Sequence, residues 1–242
     1  MLIIVRSVVF NILFYLNILV HLVAGLPFFA LPYRRLIGFG KWWGGTNLWL
    51  ARAVCGIRVE FVGLDKIPPG PLLVASKHQS TLETFTLLRL FEDPTYIAKR
   101  ELMWIPWFGW YLWKARIVPV DRGARAKALR TMTARVRAEL REGRQIIIFP
   151  EGTRQLPGAP PNYKYGAAHL YGETGVPCLP VALNSGLVWG RRSFQRYPGT
   201  VTIEVLDPIP PGLEKTAFLA RLEHDIETAT ARLIARGTQE VA

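Results

Sequence analysis

Seven short runs between residues 57 and 206 limit the fold more than any other feature of the chain: IRVEFVG, PLLVAS, TYIAK, IVPVD, QIIIFP, CLPVAL and TVTIEVL. Each is rich in Val and Ile and bounded by Pro, Gly or charge, which is the pattern of a β-strand. The segments between them have another period. Residues 124–141 place Leu129, Met132, Val136 and Leu140 at spacings of three, four and four, with Arg and Lys on the other faces, which predicts an amphipathic helix. Lys215 to Arg236 behaves similarly and is expected to close the domain. Strands alternating with helices predict an α/β fold, a mixed sheet flanked by helices, over residues 57–242.

Residues 1–56 are of a different kind. From Ser7 to Tyr33 there is no Asp, Glu, Lys or Arg, and the twenty residues from Ser7 to Leu26 form a helix of about 30 Å, one hydrocarbon thickness. This predicts an N-terminal membrane-inserted helical segment. Gly25, Pro27 and Pro32 are expected to break or bend it near its end, so a span, a re-entrant pair of helices and an in-plane anchor all stay open. A cleaved signal peptide fits poorly, because Arg6 alone makes a weak basic leader. Arg34, Arg35 and Lys41 follow the run, and the positive-inside rule then places the rest of the chain on the cytoplasmic side of the cell's inner membrane. Asn11, Asn17 and His21 lie inside the run and are expected to bond locally or face protein. From Arg34 to Gly56 the sequence is basic and aromatic, reading as an interfacial helix interrupted by its glycines.

The formal charge of +12 calls for an anionic partner: nucleic acid, anionic lipid or a phosphorylated substrate. Cys55 and Cys178 each sit in an apolar run without metal-binding spacing and read as small buried hydrophobes. Trp104, Trp107, Trp110 and Trp113 recur every three residues, which spreads four rings around half a helix. Headgroup-level anchoring, the wall of an acyl-chain groove and core packing are the three readings. His169 and His224 have no partner spacing and read as structural.

Two stretches carry candidate chemistry. In ASKHQSTLET, His78 precedes Glu83 by five positions, a separation that leaves the two side chains about 140° apart on a helix. They touch only if His78 lies ahead of the helix. Ser80 and Glu83 also fit an S-x-x-E capping box, so the carboxylate either caps an amide or orients a catalytic imidazole. A Ser80 nucleophile is disfavoured, since nothing resembling G-x-S-x-G surrounds it. In IIIFPEGTR an apolar strand ends at Pro150, and Glu151, Gly152, Thr153 and Arg154 follow in a turn. Turn amides, a hydroxyl and a guanidinium suit a phosphate, and a surface ion pair between Glu151 and Arg154 is the plainer alternative.

The order KHQSTLE, then AKRELMWIPWFG with VPVDR, then FPEGTR, then VPCLPVAL resembles the four blocks of the glycerolipid acyltransferase family, especially the 1-acyl-sn-glycerol-3-phosphate acyltransferases, over about residues 58–207. In one place the chain departs from it: the family's first block usually reads H-x-x-x-x-D, and here the acid is Glu83. The resemblance implies that His78 deprotonates a lysophospholipid hydroxyl while Glu83 orients it, with direct transfer from acyl-CoA or an acyl carrier protein thioester. It further implies that Glu151, Gly152, Thr153 and Arg154 bind the glycerol phosphate, with Lys99 and Arg122 as further phosphate partners. No metal or tightly bound cofactor, and no nucleic acid, enters this reading; the membrane does. The alternatives are the same chemistry on another lysolipid, such as a lyso-ornithine lipid, and a non-catalytic basic membrane-binding protein.

Overall fold

The computed structural model describes residues 1–121 and 125–239. All seven predicted runs become strands of one sheet: β1 (Ile57–Val62), β2 (Leu72–Ser76), β3 (Pro94–Lys99), β4 (Val118–Val120), β5 (Gln145–Ile148), β6 (Cys178–Leu183) and β7 (Gly199–Val205). Their order across the sheet is β1-β7-β6-β2-β5-β3-β4. From β6 through β2, β5 and β3 to β4 neighbours run parallel, whereas β7 lies antiparallel to β6 and carries β1 parallel to itself. The sheet is therefore mixed.

The helices are α1 (Leu2–Ala24), α2 (Tyr33–Cys55), α3 (Leu82–Leu90), α4 (Phe108–Lys114), α5 (Arg125–Arg141), α6 (Tyr165–Thr174) and α7 (Lys215–Gln239). Side chains alternate across a pleated strand, so each central strand feeds two cores. Leu72, Val74, Ile147 and Leu179 pack with Phe10, Phe14 and Leu50 of α1 and α2 and with Phe85 of α3. Leu73, Ala75, Ile146 and Ile148 pack on the opposite face with Met132, Val136 and Leu140 of α5, with α6, and with Phe218, Leu222 and Ile226 of α7. Cys55 and Cys178 are buried free thiols, as their apolar surroundings suggested.

The uncharged run forms α1 and stops at Gly25; a 3-10 turn, Leu26–Ala30, contains Pro27, and Pro32 precedes α2. The two long helices then fold back antiparallel. Cys55 reaches the Arg6 carbonyl at one end, while the Asn17 amide donates to Thr46 Oγ1 (3.0 Å) and Asn47 Oδ1 (3.1 Å) further along. Asn11 bonds the carbonyls of Ser7 (2.7 Å) and Phe194 (3.2 Å), and His21 Nδ1 bonds the Asn17 carbonyl at 2.8 Å, so the polar residues of the run bond locally or face protein. One stripe of α1, Ser7, Phe10, Phe14 and His21, is buried, and the remaining apolar face is exposed.

The expected interruption of the second helix does not occur. α2 is continuous from Tyr33 to Cys55. Its glycines create a shallow notch: a Cβ on Gly44 would lie 3.3 Å from the Phe85 carbonyl, and one on Gly45 would strike the Arg89 guanidinium. Glycine here lets α3 approach closely, and packing outweighs its helix cost of about 1 kcal/mol.

Candidate active site

Parallel strands end at the same edge of a sheet, and loops leaving neighbouring strands at that edge meet. Ala75 of β2 pairs with Ile148 of β5, and three residues beyond each lie His78 and Glu151. Ser76 of β2 also pairs with Val181 of β6, which brings the residues after Leu183 to the same edge. Three loops distant in sequence thus converge.

His78 lies ahead of α3, and its Nδ1 is 2.9 Å from Glu83 Oε1. The same oxygen accepts the backbone N–H groups of Gln79 and Ser80, both at 2.6 Å, while Ser185 Oγ donates to Glu83 Oε2 at 2.8 Å. Two backbone N–H groups aimed at Oε1 mark that oxygen as an acceptor, so the ring meets it with an N–H on Nδ1 and leaves Nε2 for another partner. Glu83 thus meets backbone amides and the imidazole through one oxygen, so the two contacts that the sequence set as alternatives occur together. The helix begins one residue later than an S-x-x-E box requires, with Thr81 at its N-cap, and Ser80 Oγ takes the Leu82 amide at 3.2 Å. Glu83 is fully buried while the His78 side chain stays 17% exposed. Its ring lies flat on Phe149 at 3.8 Å, which fixes its plane.

The FPEGTR turn packs directly against this pair. The Gln155 amide donates to the His78 carbonyl at 2.8 Å, and Arg154 Nη1 donates to Thr81 Oγ1 at 2.8 Å. Gly152 takes a φ of 69°, a left-handed conformation that glycine adopts without strain. Thr153 is exposed and Arg154 half-buried.

Glu151 points inward. Its Oε1 lies 2.8 Å from the buried Lys77 Nζ, and Oε2 accepts the His78 amide at 3.4 Å. Lys77 also meets Glu227 of α7 at 2.7 Å, and the Tyr163 hydroxyl donates to that carboxylate at 3.0 Å. Burial pushes the Glu151 carboxyl up, against the downward pull of Lys77. Burial and the Glu227 charge together push the Tyr163 phenol up.

Lys99 ends β3 at the same edge, and its ammonium pairs with Glu101 at 3.0 Å. Arg122 lies outside the described residues. Sequence reading missed Lys77, Ser185 and Phe149. Lys77 left a signal, a lysine ending an apolar strand beside the histidine. Ser185 left none, because 102 residues separate it from its partner.

Beside the site lies a nearly all-apolar cavity of about 390 Å³ between the α1–α2 hairpin, α3 and α4. Thr81 and Thr84 face it from the dyad's helix, Ile18 and Leu22 from α1, and Phe108 and Leu112 from α4. Its size falls in the usual range for a small-ligand site, ~300–1,000 Å³. The four tryptophans of the repeat do not line it.

Residues 58–184 match the family described as Acyltransferase. The 1-acyl-sn-glycerol-3-phosphate acyltransferase of Pseudomonas aeruginosa is 37% identical over 205 residues, 83% of this chain and 79% of that one. The mouse 1-acyl-sn-glycerol-3-phosphate acyltransferase alpha is 34% identical over 163 residues, 66% of this chain and only 57% of its own length. Among solved structures, the 1-acyl-sn-glycerophosphate (LPA) acyltransferase PlsC of Thermotoga maritima superposes with a TM-score of 0.75 at 25% identity, covering 95% of this chain and 96% of that one.

Proposed function

This chain belongs to the 1-acyl-sn-glycerol-3-phosphate acyltransferase family, and on that premise we propose that it acylates the sn-2 hydroxyl of a lysophosphatidic acid, giving phosphatidic acid. The observation that carries this reading is the contact between the two loops: a buried acid holds His78, and the turn bearing Arg154 is bonded to the His78 carbonyl and to Thr81.

His78 Nε2 takes the proton of the acceptor hydroxyl as its oxygen attacks the thioester carbonyl. Glu83 stabilises the imidazolium that forms. The tetrahedral intermediate collapses, the carbon–sulfur bond breaks, and the imidazolium returns its proton to the departing thiolate. No covalent enzyme intermediate is needed. Gly152, Thr153 and Arg154 are assigned the acceptor's phosphate, with Arg154 offering the guanidinium fork. Lys99 and Arg122 are further candidates from the sequence, and Lys99 already shares its charge with Glu101. Glu151 supports this turn from inside by holding Lys77 and the His78 amide. The apolar cavity suits an acyl chain, and the donor is acyl-CoA or an acyl carrier protein thioester.

The long apolar α1 associates the chain with a membrane. Because one stripe of α1 is packed on the domain, we place the hairpin in a single leaflet, on the cytoplasmic side indicated by Arg34, Arg35 and Lys41. The test is acyl transfer from a labelled thioester to a panel of lysolipids. Lysophosphatidic acid is expected to be preferred, and His78→Ala to lower kcat by about a thousandfold while membrane association persists. Equal turnover of acceptors lacking the phosphate would overturn the substrate assignment.

A further inference from the structure

Helix α4 is apolar on both faces, and protein covers only one of them. Phe108, Tyr111, Leu112 and Ala115 fall at helical spacings of three, four and seven and face the cavity. On the other side Trp107, Trp110 and Trp113 are 50%, 59% and 70% exposed, and Trp104 in the preceding turn is 66% exposed. The exposures rule out core packing for the repeat.

These rings are held in place. A Cβ on Gly109 would lie 2.1 Å from the Met103 carbonyl oxygen, so the first turn of α4 sits hard against the segment before it. Trp107 holds a φ of 66° and Arg116 a φ of 61°. Residues with side chains adopt that region only where their surroundings impose it. The Tyr111 hydroxyl donates to the Leu22 carbonyl, Lys114 Nζ donates to the Phe29 carbonyl at 3.0 Å, and the Phe29 ring meets Tyr111 edge-on at 4.8 Å. These contacts join α4 to the end of α1, whose exposed face includes Leu16, Leu19, Val20 and Val23. Phe28 and Phe39 carry the same surface on to the exposed Trp42.

We propose that α4 is a second membrane anchor, setting its tryptophans at the headgroup level of the leaflet that receives α1. Continuity with the apolar face of α1 selects a lipid surface over a protein partner. So does the chemistry of the rim: the Arg100 guanidinium stands 5.5 Å over the Trp104 ring, beside exposed Lys99, and aromatic rings with adjoining cations are the composition of a bilayer interface. Apolar surface this extensive on a monomer marks an interaction site. The consequence is mechanical. Two anchors on either side of the cavity hold its wall against the leaflet, whereas α1 alone leaves the domain free to tilt.

The inference rests on the membrane association stated above, and its test is independent of acyl transfer. The full chain carrying Trp110→Ser and Trp113→Ser is mixed with phosphatidylcholine–phosphatidylglycerol vesicles, with and without brominated acyl chains. The double variant is expected to bind about tenfold more weakly and to lose the share of the bromine-quenched emission that Trp110 and Trp113 carry. Its melting temperature and its transfer to a short-chain acceptor free in solution should match the unsubstituted chain. Unchanged affinity and quenching would overturn the proposal. So would a loss of oligomeric mass in detergent, which would make this face a contact between copies. Failure of acyl transfer in both proteins, with binding lost as expected, would count against the proposed function alone.

Discussion

Glu83 meets four donors in a fully buried position, so its two oxygens are matched to the ring, two amides and the Ser185 hydroxyl. The family's usual aspartate is one methylene shorter. Glutamate reaches the imidazole from the first turn of α3, and the same reach returns the carboxylate to the Ser80 amide. The sequence posed capping and orientation as rivals because spacing alone does not reveal that one oxygen serves both. An amide in its place keeps one oxygen for the ring and the two backbone amides, but turns its nitrogen toward Ser185 and removes the negative charge that the buried donors surround. Glu83→Gln is therefore expected to lower kcat by about a hundredfold or more and to cost about 1–3 kcal/mol of stability. Steady-state kinetics and chemical denaturation measure the two effects, and a variant with unchanged kcat would remove Glu83 from the mechanism.

Among the elements, strands and amphipathic helices were legible in the sequence because their periods are local: α5 and α7 formed where Leu129, Met132, Val136 and the run from Lys215 placed them. Glycine in α2 was misleading. Its effect depends on α3, roughly forty residues away, and the notch exists only because Phe85 and Arg89 lie across it. The α5–α6 contact offers a test at this scale. His169 Nε2 meets Thr133 Oγ1 at 3.1 Å, and burial holds the imidazole below its usual range against the upward pull of Glu173, with Lys215 and Arg137 adding to the depression. A histidine depressed in the fold binds its proton more readily once unfolded. The stability it contributes is present above the unfolded value of 6.5 and is lost as pH falls toward the folded one. His169→Gln should flatten the fall in Tm on acidification from pH 7 to 5, read by scanning calorimetry; an unchanged slope would assign that fall to other groups.

Across the whole molecule the site is a convergence of three strand ends, braced from below by Lys77, Glu151 and Glu227. That bridge ties the histidine loop and the turn after β5 to α7. Without Glu151 the Lys77 ammonium keeps Glu227, but it and the His78 amide each lose a buried acceptor, at a cost of about 1–3 kcal/mol. Glu151→Ala should destabilise the chain by about that amount, measured by denaturant titration; a loss confined to acceptor KM would mean that Glu151 touches substrate instead. The sequence by itself determined the strands, the long helices, the apolar amino terminus and the two stretches that form the candidate site, because each is written in neighbouring residues. Only the tertiary structure decided that Glu151 faces inward, that Ser185 completes the bonding of Glu83, and that the tryptophans face outward. Those outcomes depend on which strands pair and in what register, and pairing is settled by the burial of both sheet faces at once, a property that no short segment possesses.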